Sequence, residues 1–125
     1  MLSACAAAPE APSPRSVAKI DRIDAATARI TLTDQTVARM GIETVPVSTT
    51  PEGLVVPYGA LIYDVRGDAF VYTNPSPLVF VRHAVRVKQI RGDLLVLADG
   101  PASGVRIVTI GAGLLLGIEL GIGER

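Results

Sequence analysis

Few side chains in this sequence could do chemistry, and the first of them stands near its start. Leu2-Ser3-Ala4-Cys5 fits a bacterial lipobox, in which a branched residue and two small ones precede a cysteine that is lipidated. A complete signal would place a basic segment and an apolar run of about 7 to 15 residues before that site. Here only Met1 precedes Leu2. The following tract, Ala6 to Ser16, is built of Ala, Pro and Ser with Pro9, Pro12 and Pro14 and has no apolar periodicity. Such a composition reads as a disordered tether. Taken together, the two features point to lipidation of Cys5, where each buried methylene of an acyl chain adds about 0.8 kcal/mol of anchoring. A chance match in an Ala-rich leader is the bland alternative. Ala6, where an Asp would direct inner-membrane retention, leaves the destination membrane open.

The second group of chemical residues lies in one long alternating stretch. Val79, Val81, His83, Val85 and Val87 share one face, while Phe80, Arg82, Ala84, Arg86 and Lys88 share the other. The valines are expected to face inward, with His83 a packed residue among them. That leaves Arg82, Arg86 and Lys88 as a basic stripe. It is either a solvated face balanced by Asp64, Asp68, Asp93 or Asp99, or a docking surface for a partner or for anionic lipid headgroups. Metal chemistry would have to draw on Met40, His83 and scattered acids, and their spacing gives no reason for them to meet. There is no second histidine, nucleophile elbow, phosphate loop or pair of carboxylates beside a base. Gly111-x-Gly113 is too short for a dinucleotide fingerprint. No enzyme activity, cofactor or metal is therefore expected.

The elements that must carry these residues are strands. The 125 residues suit one modest core. Twelve basic residues cancel twelve acidic ones, which argues against a nucleic-acid partner. A hydrophobic share of 49% with 19% charged residues excludes intrinsic disorder of the whole chain. Abundant Val, Ile and Thr with 12 Gly and 9 Pro favour short strands and tight turns. Strands are read at Ala28 to Thr33, Ile42 to Val47, Leu54 to Val56, Val79 to Lys88 and Val105 to Ile110. One helix is read at 34–40, with Asp34 as N-cap and Gly41 as C-cap. Arg66-Gly67-Asp68 and Arg91-Gly92-Asp93 each place Gly-Asp between apolar runs, which signals hairpins rather than adhesion motifs. The apolar tail Leu114 to Ile122 reads as a last strand or, in part, an exposed patch. The expectation is an all-β domain, a small antiparallel barrel or sandwich of about six to eight strands with the helix 34–40. It would occupy residues 19–125, behind a lipobox and tether at 1–18. The uncharged run Ile107 to Ile118 is too short to span about 30 Å of hydrocarbon as a helix.

In order along the chain, several motifs resemble the membrane-proximal domain of the periplasmic adaptor, or membrane fusion, proteins of RND-type efflux pumps. They are Ile30-Thr31-Leu32-Thr33, Met40-Gly41-Ile42-Glu43-Thr44, Val55 to Leu61, Gly67 to Tyr72, Phe80 to Val87 and Gly100 to Gly111, with Pro101 where the family has Leu. The resemblance covers about two-thirds of the chain. It departs from the family at Val45 to Leu54, which stand where full adaptors insert lipoyl, helical-hairpin and barrel domains. What the resemblance implies is a non-enzymatic, lipid-anchored module in the periplasm of a Gram-negative bacterium, on the inner or outer membrane. Its partner would be a transporter or a full-length adaptor of an efflux or secretion assembly, and the stripe of Arg82, Arg86 and Lys88 read from the strand pattern would be the docking face if it is not merely solvated. The alternative is a stand-alone lipoprotein that senses a small ligand or a metal.

Overall fold

A computed structural model describes residues 18–22 and 28–120, so Cys5 and the tract around it lie outside the described residues. The domain is mostly β, as its composition predicts. Its strands are β1 (Ala18–Arg22), β2 (Ala28–Leu32), β3 (Glu43–Pro46), β4 (Ser48–Thr50), β5 (Gly53–Pro57), β6 (Ile62–Tyr63), β7 (Ala69–Ser76), β8 (Val79–Ala84), β9 (Arg86–Arg91), β10 (Leu94–Asp99) and β11 (Arg106–Ile110). The strands outnumber the six to eight read from the sequence because several are only two to four residues long. They form two open antiparallel sheets instead of a closed barrel. The larger runs β1-β2-β8-β7-β11-β3, with β6 also paired to β7, and the smaller runs β4-β5-β10-β9. Pro46 is tolerated because β3 is an edge strand.

The larger sheet is apolar on both faces. In β7, Phe70 and Tyr72 belong to one hydrophobic cluster and Val71 to another, and β11 divides Val108 from Ile107 in the same way. On one face Ile30, Leu32, Phe70, Tyr72, Phe80 and Val108 pack beneath α2 (Ala112–Glu119), which contributes Ala112 and Leu115. On the other, Val71 and Ile107 meet Val56, Leu95 and Leu97 of the smaller sheet, with Val47, Ala60 and Val85 filling the margins. The result is three layers, helix on sheet on sheet.

Helix α1 (Asp34–Met40) forms where expected, but its cap is one residue earlier. The Thr33 hydroxyl accepts from the Thr36 N–H at 3.1 Å, and Asp34 lies in the first turn. Gly41 closes the helix at φ 68°. Both Gly-Asp turns form as read, with Gly67 at φ 86° and Gly92 at φ 60°.

Two readings are corrected. The stretch from Val79 is not one strand with its valines inward. It breaks at Val85, which leaves β8 in the larger sheet and starts β9 in the smaller. In β8 the buried face belongs to Phe80 and Arg82, while His83 is exposed. The large Phe80 ring fills the space under α2 better than a valine and so sets the register. Only beyond the break do Val85 and Val87 point into the core. The second correction concerns the apolar tail, whose described part is helical over Ala112–Glu119. Ala112, Leu115 and Glu119 are its buried residues, spaced for one helix face. Gly113 and Gly117 each weaken a helix interior by about 1 kcal/mol relative to Ala, so α2 depends on docking for its helicity. Replacing Leu115 by Ala should therefore cost about 2–5 kcal/mol. Urea unfolding followed by circular dichroism measures that loss.

Candidate functional site

A buried polar cluster lies between α2 and the larger sheet. Tyr72 and Arg82 are direct partners across β7 and β8, so both side chains rise on the helix face. Glu119, on the last turn of α2, descends to meet them and is 4% exposed. The Tyr72 hydroxyl donates to Glu119 Oε1 at 2.7 Å. Arg82 Nε donates to the same oxygen at 3.2 Å, and Arg82 Nη2 lies 3.0 Å from Oε2. The pairing is the two-pronged geometry that suits a guanidinium to a carboxylate. Beneath it the Phe70 ring takes the guanidinium carbon at 4.2 Å from its centroid, and Phe70 meets Tyr72 edge to face at 5.3 Å.

Asp64, in the turn between β6 and β7, supplies a second carboxylate 3.7 Å from Arg82 Nη1. Its Oδ1 accepts from the backbone N–H groups of Asp68 at 3.0 Å and Arg66 at 2.9 Å. The Asp68 N–H, then the Arg66 N–H and the charges of Arg66 and Arg82, hold its carboxyl below the ordinary value of 3.8, against an opposing effect of burial. Tyr72 is shifted the other way. Burial first, then the Glu119 carboxylate, pushes its phenol well above the ordinary value of 10.0. At neutral pH Tyr72 is therefore a neutral donor, and the cluster's chemistry is to fasten α2 onto the sheet.

Beside the cluster lies an open hollow of about 260 Å³, floored by Phe70 and Ala69 and rimmed by Asp64, Arg66, Asp68 and Arg82. A second hollow of about 470 Å³ runs past Thr73, His83, Pro101 and Arg106. His83, read as a packed residue, instead stands at the edge of that hollow with Nδ1 2.9 Å from the Ala84 carbonyl. Met40 is half-buried against the core under α2. Among the described residues, no group of three or more His, Cys, Asp and Glu is placed to hold a metal ion. Nor is any helix among them long and apolar enough to cross a membrane.

The three residues of the basic stripe are not brought together. Arg82 is in the buried cluster, whereas Arg86 and Lys88 are exposed on β9, an edge of the smaller sheet. Arg86 lies 3.7 Å from Asp99, and Lys88 Nζ donates to the Glu52 carbonyl at 2.9 Å. Asp64 and Asp99, two of the acids anticipated as balancing charges, do face Arg82 and Arg86. Sequence reasoning missed Glu119 and Tyr72 as partners of Arg82. The signal available was the spacing Ala112, Leu115, Glu119, which places the carboxylate on the apolar helix face. Compared with protein-family models, curated proteins and solved structures, the chain finds no match.

Removing one partner strands a buried charge, so Arg82→Ala should lower stability by about 3–5 kcal/mol in chemical denaturation. Tyr72→Phe should cost about 1–3 kcal/mol, because it leaves a buried acceptor short of a donor. Replacing Arg82 by Met and Glu119 by Leu together should cost less than the sum of the single changes.

The same cluster fixes a pH dependence at both ends. Asp64 binds its proton less readily when folded, so its contribution is present above pH 3.8 and is lost as pH falls through the lower folded value. The Tyr72 proton is held more tightly when folded, so that contribution is complete below pH 10.0 and declines as pH rises beyond it. Melting temperatures scanned over pH should show both flanks. Asp64→Asn should flatten the acid one and Tyr72→Phe the alkaline one.

Proposed function

We propose that this chain is a non-catalytic, lipid-anchored periplasmic module of the membrane-proximal adaptor type, working with a transporter or a full-length adaptor of an RND-type efflux or secretion assembly. The observation that supports this reading is where the resembling motifs fall. Ile30 and Leu32, Val56 and Ala60, Phe70 to Tyr72, Phe80 and Ile107 to Val108 are all buried and build both hydrophobic clusters. The motifs are thus the framework of one domain. Val45 to Leu54, where full adaptors carry their insertion, lead through β3, β4 and the start of β5 from the larger sheet to the smaller. The motifs that flank the insertion in full adaptors are here joined directly by these short strands.

In this reading the docking residues are Arg86 and Lys88, which are exposed and lie on one edge strand, while Arg82 serves the fold. Anchoring would come from acylation of Cys5, which the lipobox pattern supports. The second reading, a small-ligand lipoprotein, draws on the 260 Å³ hollow, where Asp64, Arg66, Asp68 and Arg82 converge over an aromatic floor.

Affinity capture of the lipidated protein from detergent-solubilised membranes, after mild crosslinking, should recover a transporter or an adaptor. Arg86→Gln with Lys88→Gln should cut that recovery about tenfold while lowering stability by less than about 1 kcal/mol, since the contacts these side chains make to Asp99 and Glu52 are solvent-exposed. Recovery of neither partner, together with a melting temperature raised by a small charged ligand, would favour the second reading.

A further inference from the structure

The last described helix is held unusually. It is helical because it is docked, two glycines interrupt it, and no side chain caps its start. Its hold on the sheet rests on buried Ala112, Leu115 and Glu119, with Leu116 and Ile118 packed at the margin, and the Glu119 end is read by Arg82 and Tyr72. One residue, Gly111, separates it from β11. Gly111 sits at φ 98°, a conformation side chains rarely adopt, and a Cβ there would lie 2.9 Å from Ile42 Cγ1. Glycine crosses from that conformation to an extended one at little cost.

From these features we infer that α2 is exchangeable between copies of this chain, with residues Ala112–Glu119 of one copy seated on the larger sheet of a second. Opening at Gly111 breaks no strand pairing, since β11 ends at Ile110 and its partners β3 and β7 stay in place. In the exchanged pair each Glu119 meets the other copy's Arg82 and Tyr72, and each Leu115 fills the other copy's cluster. All contacts of the closed form are remade, so the two forms differ chiefly at the hinge and in concentration dependence. The buried ion pair gives the exchange its selectivity, because Asp64 reaches only Arg82 Nη1 and a carboxylate from the helix is needed to pair Nε and Nη2. The inference stands on the geometry of α2 alone and does not require the adaptor reading.

Charge reversal tests it. Arg82→Glu and Glu119→Arg each juxtapose like charges beneath α2, but an exchanged pair of the two variants restores an opposite pairing at both sites. Mixed in equal amounts, they should form a one-to-one dimer in native mass spectrometry, with a melting temperature above that of either alone. In parallel, Gly111→Val, which disfavours the closed hinge, should raise the dimer fraction of the otherwise unchanged chain about tenfold in sedimentation velocity. A Gly111→Val chain that stays monomeric at every concentration would overturn the inference. So would a dimer that forms equally well when Arg82→Glu is mixed with itself.

Discussion

A sheet with apolar side chains on both faces cannot stand as a single layer, and this one constraint organises the rest of the domain. β7 is its clearest expression. Phe70 and Tyr72 need cover on one side, Val71 needs cover on the other, and no rotation of the strand satisfies both with one partner. The smaller sheet answers one face and α2 the other. Burying the core side chains contributes about 1.5–3 kcal/mol each, so either cover is worth more than the local propensity of the segment that provides it. That is why a glycine-interrupted octapeptide is a helix here.

The buried charge beneath α2 adds selection where burial adds strength. An ion pair inside a core gains little net stability over apolar residues of the same shape. What it does is penalise alternatives, because a helix shifted by one residue would take the two-pronged Glu119 carboxylate away from Arg82 and leave it only the longer contact to Asp64. The Phe70 ring and the Tyr72 hydroxyl sharpen the selection by fixing the guanidinium plane and one carboxylate oxygen. Orientation of the helix on the sheet is thereby a polar decision made inside an apolar layer.

Much of the scaffold was legible in the chain because local chemistry determined it. The Gly-Asp turns, the α1 helix with Gly41 behind it and the all-β class follow from backbone preferences that need no tertiary partner. The stretch around Val85 was not legible, because its two halves serve different sheets. A pattern of period two cannot report that the inward face changes identity midway, so the valines predicted one register and Phe80 imposed the other. Arg82 was misread for the same reason. On a single strand it shares a face with Arg86 and Lys88, whereas across the break it faces a helix that lies 37 residues further along. Glu119 was obscured by Gly113 and Gly117, which disguise a helical spacing as a broken strand.

The corner at Val85 also gives the domain a mechanical property. Because the chain passes without a loop from β8, an interior strand of the larger sheet, into β9, an edge of the smaller, the two sheets share a continuous covalent corner, tied by the Val85 N–H to the Ala69 carbonyl at 3.1 Å. Tension applied along this segment would run through one sheet into the other as shear against antiparallel ladders, loading many hydrogen bonds at once instead of peeling them singly. The layers therefore cannot slide past each other without tearing a strand out of one of them. A pull on one sheet is thereby passed through the backbone of this corner to the other.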